Sequence, residues 1–216
     1  MNLLVAALSE EGVDQPHAVL AAPARWLDDD ARRVRDRRLR AELTDEIRSA
    51  ASILARPMAE CYGWVSTATC ETALLAAAGK NQAVLVTRTG DTASLEPISP
   101  DGLVEAVAKR LPDTPPGHGR ALNVATNDLA PGARPSTDVR MLRTLMARPR
   151  TASGQLHVAT RDRLNRRRRS PNPLIYLDIA DGRWMTRATP DGWVHAAPAT
   201  VQLIATTLGR MRRQLG

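Results

Sequence analysis

The chain reads as one supersecondary plan written twice, and this repetition constrains its fold more than any single motif. A helix-like stretch closes on Leu54-Ala55-Arg56-Pro57, and 92 residues on a second closes on Met146-Ala147-Arg148-Pro149. Downstream, Val86-Thr87-Arg88 precedes a Gly-Asp turn, and Met185-Thr186-Arg187, 99 residues on, precedes an Asp-Gly turn. The extra seven residues fall where the second copy carries a long basic loop, and a loop tolerates insertion.

Each copy reads helix, four strands, helix. In the first, Asp28-Asp29-Asp30 opens a helix striped by Leu39, Leu43, Ile47, Ala51 and Leu54, which Pro57 stops. Strands follow at Tyr62–Thr67, Thr72–Ala78, Ala83–Thr89 and Ala93–Ile98, with Gly79-Lys80-Asn81 and Gly90-Asp91 as turns. Ser99-Pro100-Asp101 opens a helix carrying Leu103, Val104, Val107 and Leu111. The second copy has a helix with Val139, Leu142, Leu145 and Met146. Its strands are Gln155–Thr160, Leu174–Ile179, Arg183–Ala188 and Trp193–Ala197. A last helix is striped by Val201, Ile204, Leu208, Met211 and Leu215. The halves span about 30–112 and 136–216. The connector, about 113–135, is rich in Pro and Gly, with a short strand-like run at Ala121–Thr126. Residues 1–29 read as a short strand or helix and a loop.

Short connections make antiparallel meanders, and two meanders bury their helices best by joining into one sheet. The expectation is one α/β (α+β) domain over 1–216, pseudo-twofold, with a central, mostly antiparallel sheet flanked by helices.

Chemistry is sparse. Phosphate-binding loops and nucleophile elbows are absent, and His17, His118, His157 and His195 have no metal-ligand spacing. His157 and His195 fall in strands, where a catalytic role competes with that of ordinary strand residues. Cys61 and Cys70 flank the first strand and read either as a redox pair across a hairpin or as small hydrophobes. No cofactor, metal or catalytic residue is expected, so the chain reads as a binding protein rather than an enzyme.

The net charge is +7, almost all from arginine, which favours an acidic partner: nucleic acid, an anionic membrane or an acidic protein. Six arginines crowd Arg161–Arg169, a run that reads as a phosphate clamp or as a solvated loop. Stacking aromatics, frequent on nucleic-acid surfaces, are missing from it. Trp184 and Trp193 lie in adjacent strands and read as hot-spot residues or as core, since Phe is absent. The apolar start, Met1–Leu8, has no basic flank of a secretory leader, and no run is long enough to span a membrane. A cytoplasmic location is expected.

The segments Leu54-Ala55-Arg56-Pro57 before Tyr62-Gly63, Ser153-Gly154-Gln155-Leu156-His157-Val158-Ala159, Leu174–Asp178, Asp181-Gly182-Arg183-Trp184, Gly192-Trp193-Val194 and Ala197-Pro198-Ala199 are similar to the EspG family of type VII (ESX) secretion chaperones. The resemblance covers about residues 40 to 216. It implies two similar halves around a sheet and a cytosolic, cofactor-free chaperone. Its partner would be a PPE-like helical tip within a PE–PPE pair, kept soluble for export. By position it points to Trp184, Trp193, Ile204, Leu208 and Met211 as client contacts, with Arg166, Arg167 and Arg168 as a steering rim. The alternative is a nucleic-acid binder using Arg161–Arg169.

Overall fold

A computed structural model describes residues 2–13, 15–20, 34, 37–132 and 134–216. The Asp28-Asp29-Asp30 start of the first long helix lies outside them. Helix α1 spans Asn2–Glu10, and Ala18–Leu20 forms a single 3-10 turn. Residues 37–41 are helical, but the expected continuous helix breaks at 42–44 and restarts as α2 (Asp45–Ala55). Thr44 is the reason. Its backbone is extended, its hydroxyl accepts the Ile47 N–H at 3.3 Å, and Asp45 and Glu46 fill the first turn, so a new N-terminus is satisfied locally.

The strands are β1 (Ala59–Thr67), β2 (Glu71–Ala78), β3 (Ala83–Thr89), β4 (Thr92–Ile98), β5 (Leu122–Ala125), β6 (Ala152–Arg161), β7 (Arg167–Arg169), β8 (Leu174–Ile179), β9 (Gly182–Ala188) and β10 (Trp193–Pro198). The remaining helices are α3 (Leu103–Ala108), α4 (Thr137–Ala147) and α5 (Val201–Arg213). Ser136 and Thr200 cap α4 and α5 through their hydroxyls, as Thr44 caps α2.

All ten strands form one sheet in the order β4-β3-β2-β1-β6-β8-β9-β10-β5, with β7 paired on β6. Every ladder between the named strands is antiparallel, as the two-meander reading expects. The order is mirrored about the β1–β6 seam. Trp64 pairs with Gln155 there, and Gly63 and Gly154 each precede one member of that pair. A Cβ on Gly63 would run into the Gln155 carbonyl oxygen, and one on Gly154 into the Trp64 carbonyl oxygen and the Tyr176 ring. Each glycine permits close approach where the halves meet.

The sheet has two dressed faces. On one, α3 and α5 pack against each other and over Leu74, Leu85, Leu156, Val158 and Tyr176, burying Leu103, Val107, Ile204, Leu208 and Met211. On the other, α1 and α2 cover the first half through Leu4, Leu8, Ala51, Tyr62, Leu75 and Val86. There α4 covers the second half through Val139, Leu142, Leu145, Leu177 and Ile179. The interior is almost wholly aliphatic, as a chain without Phe requires.

The segment after α3 is clipped to the second half. Arg183 and Asp178 form a fully buried pair, Nε to Oδ1 and Nη2 to Oδ2, both 2.7 Å. Arg183 Nη2 also donates to the Pro112 carbonyl at 2.6 Å, and the Thr114 hydroxyl to Asp178 Oδ2 at 2.9 Å. Backbone bonds join Arg183 to Pro115 and Gly117, and the Gly117 Cα lies so close to the Trp184 indole that no side chain fits between them.

Candidate interaction surface

A sheet with three helical covers leaves part of itself bare. Arg187, His195 and Asn123 lie side by side across β9, β10 and β5, on the face that α5 occupies further in. His195, Asn123 and Trp193 are exposed, Trp193 at 42%. The helix α5 rises beside them as a wall. Its Thr207 hydroxyl reaches Met185 Sδ of β9 at 3.9 Å, and Gln214 accepts from Arg187 Nη2 at 3.2 Å. Leu203 and Arg210 of this helix and its C-cap Gln214 are exposed. The result is an open corner with a sheet floor and a helical wall. It carries two large apolar groups, Trp193 and Leu203, among polar ones. His195 Nδ1 lies 2.6 Å from Asn123 Oδ1, which orients both side chains outward from a rigid strand pair.

The residues singled out from sequence fall into three places. Trp193 lies on the floor of the corner. Ile204, Leu208 and Met211 are on α5 and point inward, at 0%, 0% and 2% exposure, so they anchor the wall instead of presenting a surface. The apolar stripe of an amphipathic helix is the side it buries, so the reading selected the anchoring face. Trp184 is on the opposite face of the sheet, 6% exposed, beneath Gly117 and Gly119. Its neighbour in sequence space, Trp193, is therefore not its neighbour on a face. Leu203, Asn123 and Arg187 were not singled out; their signal was the polar side of α5 and the outward phase of β5 and β9.

Arg166, Arg167 and Arg168 belong to a hairpin, not to a structureless loop. Arg167 donates from Nε to buried Glu60 Oε2 at 2.9 Å and lies over the Tyr62 ring, its Cζ 5.4 Å from the centroid. Arg166 Nε bonds Asp162 Oδ2 at 3.0 Å, and Arg168 Nε sits 3.7 Å from the same oxygen.

The polar candidates for chemistry are kept apart. Cys61 is buried opposite Ala76, its thiol pushed up to about 12 by burial. Cys70 is exposed in the β1–β2 turn, and both are free thiols, so the register places no redox pair across this hairpin. Hydrogen bonding with the Thr67 and Thr72 hydroxyls lowers the Cys70 pKa. His157 stacks on Tyr62 at 5.2 Å, and His17 meets the same ring edge-on at 4.4 Å. Burial lowers the pKa of both histidines, and Arg167 adds to it. His195 is on another strand and the other face. Among the described residues no group of three His, Cys, Asp or Glu side chains could hold a metal ion, and no helix is long and apolar enough to cross a membrane.

The arrangement defines a class: a twofold-patterned α+β sheet protein whose outward feature is an open corner between a helix and the sheet. The sequence matches the EspG family over residues 3–210, and the chain belongs to that family. Among solved structures it is similar to the type VII secretion system chaperone EspG5 of Mycobacterium tuberculosis, determined in complex with a PE25–PPE41 dimer. The TM-score is 0.69 at 15% identity, covering 99% of this chain and 93% of that one. Comparison with curated protein sequences finds no match.

Proposed function

We propose that this chain is a non-enzymatic, cytoplasmic chaperone. It holds a helical client of the PE–PPE type soluble for export by type VII secretion, and the client docks in the corner between α5 and the β9–β10–β5 floor. Membership of the EspG family over nearly the whole chain carries this reading, and the likeness to EspG5, solved with a PE25–PPE41 dimer, supports it. The chemistry of the corner suits the task. A helix tip with exposed apolar side chains aggregates unless they are covered. Trp193 and Leu203 supply apolar area, while Arg187, Asn123, His195 and Gln214 supply a rim of donors and acceptors. Ile204, Leu208 and Met211 contribute by fixing the wall, and Trp184 by fixing the clipped connector behind the sheet.

The test is co-purification of the tagged chain from its native cells, followed by titration of the recovered client against variants. A single helical PE–PPE-like client is expected, with Trp193→Ala weakening it by about 2 kcal/mol, roughly thirtyfold, as truncation of a hot-spot aromatic does. Recovery of nucleic acid alone, lost at moderate salt, would overturn the reading. So would full affinity in both Trp193→Ala and Leu203→Asp.

A further inference from the structure

The arginine-rich hairpin is built, and built around one carboxylate. Asp162 Oδ1 accepts the backbone N–H groups of Leu164 and Arg166, each at 2.9 Å. The Asp162 and Arg166 backbones are bonded to each other at 3.1 Å, and the Asn165 N–H returns to the Asp162 carbonyl at 2.9 Å. Asn165 takes the left-handed conformation, φ 60°, which asparagine tolerates well. Arg161 Nη1 closes the turn on the Asn165 carbonyl at 3.1 Å. Below the turn, β7 zips onto β6 through Ala159, Thr160 and Arg161.

This order holds Leu164 at the tip, 71% exposed, the most exposed large apolar side chain among the described residues. Arg163 and Arg166 beside it in the turn, and Arg168 and Arg169 below in β7, are exposed. Met58, 57% exposed, sits at the base, its carbonyl accepting the Arg161 N–H at 2.9 Å. Six arginines against Asp162 give the hairpin 161–169 a net charge of +5, of which Glu60 of β1 offsets one through Arg167.

We propose that the hairpin 161–169 docks the protein on an anionic phospholipid surface, its arginines on the headgroup phosphates and Leu164 inserted between the chains. Charge complementarity selects an anionic partner. The apolar tip selects a lipid surface over nucleic acid, because a single leucine among arginines offers no stacking platform and suits insertion at the headgroup boundary. The inference does not depend on the client reading. The hairpin and the corner are separate features, so a delivery chaperone could carry its client in one and touch the membrane with the other.

The experiment is vesicle sedimentation of the full chain at 0.1 M salt, with phosphatidylcholine vesicles carrying or lacking about a third phosphatidylglycerol. The expected preference for the anionic vesicles is on the order of a hundredfold or more, from several arginines each contributing about fivefold. It falls sharply at 0.5 M salt as screening tightens. Leu164→Asn is expected to weaken binding by about tenfold and Arg163→Gln by about fivefold. Both side chains are exposed, so melting temperatures should match the parent and a folding defect is separable from a binding one. Equal sedimentation with both vesicle types overturns the proposal. So does anionic binding that Leu164→Asn leaves intact, or a single-stranded oligonucleotide held more tightly than the vesicles at the same salt.

Discussion

Replacing Arg183 by methionine removes the cation from a pair in which both side chains are essentially sealed from solvent, at 0% and 1% exposure. The variant keeps the unbranched stem of the side chain but not its guanidinium head, and leaves Asp178 buried with the Thr114 hydroxyl still donating to it. It loses two charged bonds to Asp178 and the bond to the Pro112 carbonyl. Stranding one partner of a buried pair costs about 3–5 kcal/mol, and the lost bond to Pro112 acts in the same direction. For a chain of this length each kcal/mol lowers the melting temperature by about 2–4 °C, so a fall of roughly 10 °C is expected. Urea unfolding should show the midpoint shifting with little change in slope. Arg183→Lys should recover only a small part, because an ammonium cannot place two parallel donors on one carboxylate and a third on a carbonyl. The double variant Arg183→Met, Asp178→Leu should recover most of the loss, since the stranded charge is gone. If Arg183→Met unfolds within about 1 kcal/mol of the parent, the pair is not holding the connector and the argument fails.

Two further outcomes follow from the seam and its aromatic cluster. Alanine at Gly63 or Gly154 forces the central ladder apart at backbone, where nothing can rotate away, and should destabilise by at least the 1–3 kcal/mol of an overpacked core, read as a lowered urea midpoint. His17 and His157 have folded-state pKa values below their ordinary 6.5, so the unfolded chain binds the extra protons. Stability is therefore full above about pH 6.5 and declines as the pH falls below it. His157→Gln should flatten the fall in melting temperature between pH 7 and 5, and an unchanged slope would show that this ring does not contribute.

Much of the fold was legible because its signals are local. The turn residues and alternating strands set the meanders, and the Pro-terminated helices set the repeat, without any knowledge of long-range pairing. Two local features were overridden by finer chemistry. The stripe from Leu39 to Leu54 runs through the break at Thr44, because Leu43, Ile47 and Leu54 still pack into the same cluster, and only the capping pattern marks the interruption. The arginine run looked solvated because its organising element is a single aspartate, Asp162, outnumbered six to one in composition. The surface was less legible than the core. Periodicity reports which side chains turn inward, so it drew attention to Ile204, Leu208 and Met211. The outward Leu203 lies on the polar side of its helix, and the grouping of Arg187 and His195 with Asn123 exists only once β5, 72 residues before His195 at Asn123, has been set in register beside the β9–β10 hairpin.

The β1–β6 seam has a consequence for how the chain is made. In the finished sheet β1 is paired on both sides. During synthesis, β2 emerges at once to cover one side, but β6 begins 85 residues after β1 ends. From the end of β4 at Ile98 until β6 is made, the first half is a four-stranded meander with a bare inner edge. Its hydrogen-bonding groups face the ribosome's surroundings, and Gly63 leaves the backbone unshielded. Such an edge is a template for any passing strand, including β6 of a neighbouring nascent copy, so the site that unites the two halves is also where the growing chain is most open to joining the wrong partner.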